Sequence, residues 1–297
     1  MTRLLFLDAI KAFAILLVIF VHMQNFLASI LVANYDFFEV LKFIALACFT
    51  FASGYAIHAN NRDLMGEREV RHFYKKRFVR IYPLYLAALI VFFLCFQVFG
   101  LFPPIHYSAA GWAANVLCLQ VLLSPAFVEP VFTLWFIGFI VMMYAFYPLL
   151  SQGPVKKKIL FTAGIFGILA VIHVLFDLVD YRFFLYYFFF IFGMIAADAG
   201  YRAPRVERSL NRHGKLLVPA ITVLAYASYC IFLFHMPIFS VTGRFISDAG
   251  VSGALQNAVV LFLVIPAILF VGYYLQKMYD ASVRYARTRR SSQDGSR

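Results

Sequence analysis

The chain has 297 residues, of which 63% are hydrophobic and 13% are charged, whereas a soluble domain carries about a quarter charged residues. This composition excludes an ordinary soluble protein and indicates a membrane protein. The formal net charge of +12 does not indicate nucleic-acid binding, because Lys and Arg collect in short segments between apolar runs, as they do in the cytoplasmic loops of membrane proteins.

Nine apolar segments follow one another along the chain, and about 20 apolar residues are enough for a helix to cross the hydrocarbon core of a bilayer. The segments lie approximately at 4–27, 37–58, 81–102, 110–123, 131–150, 158–176, 183–199, 216–246 and 254–278. The sequence therefore predicts an all-α, polytopic helical membrane protein with about 8–10 transmembrane helices.

Four stretches are rich in Lys and Arg, and the positive-inside bias predicts that all four are cytoplasmic. They are Arg62–Arg80, Lys156–Lys158, Arg202–Lys215 and the tail from Arg284 onward. Both termini are therefore predicted to be cytoplasmic. Residues 1–280 are interpreted as one membrane-embedded domain, and residues 281–297 as a polar, basic cytoplasmic tail that is predicted to be disordered.

Nine complete crossings do not fit this topology, because an odd number of crossings places the two termini on opposite sides of the membrane. Segment 110–123 is the shortest, and a shallow or re-entrant helix there leaves eight complete spans. Alternatively, segment 216–246, which contains Pro219 and Pro237, hides two passes and brings the count to ten. The sequence leaves both alternatives open.

The first apolar segment carries Arg3, Asp8, Lys11 and His22, and ten residues separate the last two. Eleven steps of about 100° return to nearly the same helix face, and a rise of ~1.5 Å per residue places Lys11 and His22 ~16 Å apart. They are predicted to share one face without touching. His22 offers an imidazole suited to general-base catalysis; the alternative is a hydrogen-bonded packing residue.

This arrangement resembles the acyltransferase-3 family of membrane O-acyltransferases, whose first helix carries a basic residue, ten spacers and a His. Four further motifs follow in family order: Phe51-Ala52-Ser53-Gly54-Tyr55, then Arg77-Phe78-Val79-Arg80-Ile81-Tyr82-Pro83, then Leu134-Trp135-Phe136 with Tyr144 and Pro148, then Ser228-Tyr229 with Leu233-Phe234-His235-Met236-Pro237. Many members have a Glu after the central Trp, where this chain has Gly138 and apolar neighbours. In this respect it resembles the branch of exopolysaccharide succinyltransferase-like and enterobacterial-antigen acetyltransferase-like proteins.

The resemblance implies transfer of a short acyl group, with acetyl expected, from cytoplasmic acyl-CoA to a hydroxyl of a cell-surface or lipid-linked glycan. It implies that His22 is catalytic, either as the base or as a transient acyl carrier. It implies substrate-binding roles for Lys11, Ser53, Arg77, Arg80, Trp135 and His235. It also implies no metal and no tightly bound cofactor, with acyl-CoA, acetyl-CoA in the first instance, as a donor substrate. The implied location is a multi-pass one in the bacterial cytoplasmic membrane.

On the donor side, the residues support this interpretation and leave alternatives open. The basic cluster around Arg77 and Arg80 is denser than topology requires, and guanidinium groups bind phosphates bidentately. The alternative is a purely topological signal. Ser53 and Gly54 remove side-chain bulk, either for a thin substrate arm or for close packing of two helices.

Other polar residues have equally open roles. Trp135 either stacks on a sugar or marks the membrane interface, and His235 either forms a hydrogen bond in a cavity or packs in the core. Arg182, at an outer helix end, contacts the acceptor or caps the helix. Asp198 is predicted to form an ion pair with Arg202 near a cytoplasmic helix end.

Two rival functions belong to other classes. A transporter or flippase for a lipid-linked or polymeric glycan also places charged residues within its spans, although the sequence has no visible internal repeat of the kind common in transporters. A non-catalytic assembly subunit is the third possibility, and His22 would be expendable in it. The sequence does not predict the oligomeric state.

Overall fold

The computed structural model describes residues 4–28, 35–62, 64, 66–101, 107–214 and 217–294. Every regular element within these ranges is a helix, so the predicted all-α class is confirmed. Two residues of the sequence analysis, Arg3 of the first motif and Lys215 of a basic stretch, lie outside the described ranges.

The helices are named in chain order. They are α1 (Leu5–Met23), α2 (Tyr35–Asn60), α3 (Glu67–Phe93), α4 (Ala109–Val116), α5 (Gln120–Leu123), α6 (Trp135–Ser151), α7 (Val155–Phe176), α8 (Arg182–Asp198), α9 (Pro204–His213), α10 (Leu217–Asp248), α11 (Gly253–Val259) and α12 (Ile265–Asp294). A π-helical turn at Leu94–Val98 extends α3, and another at Val260–Val264 joins α11 to α12.

Seven helical stretches of the described chain are long and apolar enough to cross a membrane. They contain α1, α2, α3, α6, α7, α10 and α12. The apolar helix α8 has 17 residues, which is the lower limit for a transmembrane helix. Counting it gives eight spans in the described chain, the number expected if segment 110–123 does not cross. The protein is therefore a multi-pass membrane protein.

The structure also decides between the two alternatives for the number of crossings. Segment 110–123 forms the short helices α4 and α5, of 8 and 4 residues, and α4 is only about 12 Å long. Segment 216–246 lies in one helix of 32 residues, so two passes in this segment are excluded. Pro219 lies in the first turn of α10, where its missing N–H costs nothing, and Pro237 interrupts only part of the hydrogen-bond ladder.

The chain divides into two compact units, each described separately. The terminal unit comprises Met1–Tyr35 and Arg208–Arg297, and the central unit comprises Asp36–Glu207. In the terminal unit, α1 and α12 both pack against α10. In the central unit, α6 contacts α3, α7 and α8, and it therefore supplies residues to several interfaces.

The polar tail differs from the sequence prediction. The sequence predicts disorder from residue 281, whereas α12 continues without interruption to Asp294. Ala and Arg are good helix formers, and a helix that is already formed is extended without a new nucleation step. The tail therefore continues the last apolar helix over the part that the structure describes.

Candidate active site

The terminal unit brings together two of the predicted site residues, His22 and His235. His22 lies in the last turn of α1, and His235 lies near the middle of α10. Their ring centroids are 5.0 Å apart, and the ring planes are inclined at 47°. His235 is 0% exposed, whereas His22 is half-buried. The two imidazoles are therefore neighbours at the contact between α1 and α10.

The hydrogen bonds of His235 define where its proton lies. Its Nδ1 is 2.8 Å from the carbonyl oxygen of Phe232 and 3.2 Å from that of Ile231. A carbonyl oxygen only accepts, so Nδ1 carries a hydrogen, and Nε2 of the neutral ring carries the acceptor lone pair. This buried Nε2 has no hydrogen-bond partner in the described part of the chain.

Aromatic rings enclose the His235 imidazole along α10. The rings of Phe232 and Phe239 lie 5.9 Å and 6.5 Å from it, centroid to centroid. Phe239 in turn stacks on Phe26, which follows His22 by four residues, at 5.0 Å. The His22 and His235 pair is thus bordered by a second, apolar contact between the same two chain segments.

Lys11 occupies the place that the spacing predicts. It lies in the same uninterrupted helix as His22, so the rise of ~1.5 Å per residue separates the two by ~16 Å. Lys11 and Asp8 are both half-buried. The Lys11 ammonium and the His22 imidazole therefore belong to different turns of α1.

The central unit brings together Ser53, Arg77 and Tyr144, which come from three different helices. The Ser53 Oγ and Tyr144 Oη atoms are 2.8 Å apart. The Arg77 guanidinium lies 5.7 Å from the centre of the Tyr144 ring and 5.4 Å from that of Phe73. Its buried Nε atom has no hydrogen-bond partner among the described residues. Arg80, by contrast, is exposed.

Gly54 has a packing role. A Cβ atom added at Gly54 would lie 2.1 Å from the carbonyl oxygen of Phe190, and one added at Gly193 would lie 2.2 Å from that of Phe51. Helices α2 and α8 therefore cross closely because each has a glycine at the contact. Of the two interpretations of Ser53-Gly54, the close crossing accounts for the glycine, and Ser53 itself faces Tyr144.

Trp135 is held by a cation–π contact. The Arg182 guanidinium lies 4.2 Å from the ring centre of Trp135, and Arg182 Nε donates to both carboxylate oxygens of Asp180, at 2.8 Å and 3.0 Å. The Asp180 carboxylate also accepts from the Arg182 backbone N–H at the start of α8. Trp135 is only 7% exposed. This geometry favours a bracing and capping role for Arg182 and leaves little of the indole for a sugar.

The central unit contains a polar network around the buried His58 that the sequence analysis did not predict. The two ring nitrogens of His58 lie 3.0 Å from Tyr147 Oη and 2.8 Å from an Asp198 carboxylate oxygen. Lys158 Nζ donates to the other Asp198 oxygen at 3.1 Å. In the part of the chain that the structure describes, Asp198 pairs with Lys158 and His58 rather than with the predicted partner, Arg202. The sequence did indicate that Asp198 has a partner, because ionisable groups at the ends of membrane helices usually pair. It does not indicate which residue that partner is.

Comparison with known protein families gives one match. Residues 4–210 match the model of the acyltransferase-3 family, described as an acyltransferase domain. None of the curated proteins or solved structures compared matches the chain. The match includes His22 and Arg77 and ends before His235. Because the match covers more than half of a chain with several membrane-spanning helices, the chain belongs to the acyltransferase-3 family and is a membrane acyltransferase.

Proposed function

We propose that the protein is an O-acyltransferase that moves a short acyl group, acetyl in the first instance, from cytoplasmic acyl-CoA to a glycan hydroxyl. The acceptor is a cell-surface or lipid-linked glycan, and the enzyme resides in the bacterial cytoplasmic membrane. Family membership supports the class of reaction. The observation that carries the choice of donor is the environment of Arg77.

The Arg77 side chain has the properties of an anion-binding group. Its guanidinium lies over the rings of Phe73 and Tyr144, 5.4 Å and 5.7 Å from their centres, and the described residues give its buried Nε no acceptor. A guanidinium stays protonated in proteins, and a buried N–H without an acceptor is costly. A phosphate supplies the missing acceptors bidentately, and CoA carries several phosphates.

Arg80 and Lys11 have accessory roles in this proposal. Arg80 is exposed and follows Arg77 by three residues on α3, so both lie near one face of the helix. We assign Arg80 to the first electrostatic contact with the donor and Arg77 to the oriented contact. Lys11 adds a further cation that attracts the donor phosphates.

His22 is the proposed base. Its neutral ring takes the proton of the acceptor hydroxyl while the hydroxyl oxygen forms a bond to the thioester carbonyl carbon. The carbon–sulfur bond then breaks, and the leaving CoA thiolate takes the proton from the His22 imidazolium. The products are the acylated acceptor and CoA thiol, and His22 is neutral again.

The test uses the purified full-length protein in lipid nanodiscs with radiolabelled acetyl-CoA and a lipid-linked glycan fraction. We expect label to move to the glycan with stoichiometric release of CoA thiol. A transporter would instead move glycan across a proteoliposome membrane without consuming acetyl-CoA. Glycan transport without thiol release would therefore overturn the proposal in favour of that rival.

A further inference from the structure

We propose that His235 is the positioning residue of His22, and that its Nε2 atom accepts a hydrogen bond from a ring N–H of His22. This bond orients the His22 ring and leaves the other His22 nitrogen as the base. The inference rests on the proposed role of His22. The family match ends before α10, so the assignment rests on the geometry of the terminal unit.

The orientation of the His235 ring is fixed by its own hydrogen bonds. Its Nδ1–H is held by the carbonyl oxygens of Phe232 and Ile231, which determine both the tautomer and the orientation of the ring. A histidine with one nitrogen bound in this way presents the other as a directed acceptor, as in the outer shells of metal and catalytic sites. His235 therefore aims a lone pair from a rigid helix.

The separation of the His22 and His235 rings matches that of two hydrogen-bonded imidazoles. An imidazole nitrogen lies roughly 1.1 Å from its ring centre, so a hydrogen bond of about 2.9 Å between two such nitrogens joins centres about 5 Å apart. The observed centroid separation is 5.0 Å. The two rings are therefore close enough for such a bond, and the broad χ2 range of His allows the His22 ring more than one orientation.

The buried Nε2 atom of His235 is costly to leave without a hydrogen bond. Nε2 of His235 is buried and has no hydrogen-bond partner in the described ranges, and an unsatisfied buried acceptor is rarely retained without a role. Phe232 and Phe239 flank the ring. The His22 ring centre is 5.0 Å away and His22 is only half-buried, so His22 is well placed to satisfy this acceptor while it also meets a substrate.

A neutral imidazole is a suitable orienting group for a histidine inside a membrane. In serine proteases a carboxylate orients the catalytic histidine and stabilises its imidazolium. A buried carboxylate inside a membrane helix carries a large desolvation penalty, whereas a neutral imidazole does not. His235 therefore supplies the orienting acceptor without a buried charge, and it lowers the cost of the positive charge that His22 acquires during transfer.

The test compares His235→Leu, which has no acceptor, with His235→Gln, whose amide oxygen replaces Nε2 as an acceptor. We expect His235→Leu to lower kcat about 10–100-fold while the KM for acetyl-CoA stays within about twofold, and His235→Gln to recover a large part of that loss. The matched control is His173→Gln, because His173 Nδ1 also binds a backbone carbonyl, that of Leu178, at 3.1 Å. This control should leave kcat unchanged.

Full activity in His235→Leu, or an equal loss in His235→Gln with a folded protein, would overturn the inference. If His22→Gln is inactive while His235→Leu is fully active, only the inference fails; if His22→Gln is active, the proposed function of His22 fails as well. Nitrogen-15 NMR of labelled imidazoles decides the matter if the Leu variant does not fold. The His235 Nε2 signal should show a hydrogen-bonded acceptor that is lost in His22→Ala, and an unchanged signal contradicts the bond.

Discussion

The side chain of Gln120 fills the space beside Gly138. A Cβ atom at position 138 would lie 2.6 Å from Gln120 Nε2, and this amide nitrogen donates to Tyr85 Oη at 3.1 Å and to the Leu134 carbonyl at 3.2 Å. Gln120 is 0% exposed. Gly138 therefore makes room for a polar side chain from the short helix α5.

We predict that Gly138→Ala destabilises the protein by about 1–3 kcal/mol, because overpacking displaces the Gln120 amide from its two acceptors. Thermal unfolding in detergent measures this. Gly164→Ala is the matched control, since a Cβ there meets nothing within 4 Å, and alanine is the better helix former. Equal unfolding temperatures for the two variants would show that Gln120 yields without cost.

Arg77→Lys should raise the KM for acetyl-CoA about tenfold, which corresponds to ~1.4 kcal/mol. Lysine keeps the charge, but its ammonium is not planar and cannot bind a phosphate with two parallel bonds. Arg71→Lys is the control, because Arg71 is exposed and pairs with Glu67. If Arg77→Lys and Arg71→Lys both behave like the parent, the basic cluster is a topology signal alone.

Much of the fold could be predicted from the sequence, because a membrane-crossing helix requires a long apolar run that a single chain displays openly. The positions at which helices are interrupted were harder to predict. The short helices α4 and α5 are separated around Cys118, which has a φ of +58°, and no turn residue marks that position. The helical tail to Asp294 was missed because its polar composition outweighed its helix propensity.

Sequence motifs suggest the residues of the candidate site, but the contacts between them could not be predicted from the sequence. His22 and His235 each belong to a recognisable motif, yet nothing local indicates that their rings adjoin. Gly54 shows the same limit, since only the position of Phe190 on α8 explains the need for a glycine. The partners of Asp198 are equally non-local, because Lys158 and His58 reach it from other helices.

The network around His58 should matter for stability. Asp198→Asn is predicted to destabilise the central unit by about 1–3 kcal/mol, because the buried His58 loses a charge-assisted hydrogen bond. Asp248→Asn is the control: Asp248 pairs with Arg244 at an exposed site, where ion pairs contribute about 0–1 kcal/mol. Chemical denaturation of the two variants should separate them, and equal stability would mean that the His58 network is not structurally important.

Topology is directly testable by labelling. We predict that single cysteines introduced as Arg71→Cys and Arg290→Cys react only with reagents that reach the cytoplasmic face, as the positive-inside bias requires. Cys95, Cys118 and Cys230 are buried and Cys48 is partly buried, so background labelling should be low. Labelling of either introduced cysteine from the outer face of intact cells would contradict the cytoplasmic assignment of both termini.

The most direct test of the account is acyl transfer by His22→Gln, which keeps polarity and approximate size but removes the titrating imidazole. The measurement is single-turnover transfer of radiolabelled acetyl from acetyl-CoA, in parallel with equilibrium binding of acetyl-CoA to the same preparation. We predict intact binding and a loss of transfer of roughly 10² to 10⁴ fold, the usual contribution of a general base. Near-parental transfer by a folded His22→Gln protein across neutral pH would contradict the proposal that His22 is the catalytic base.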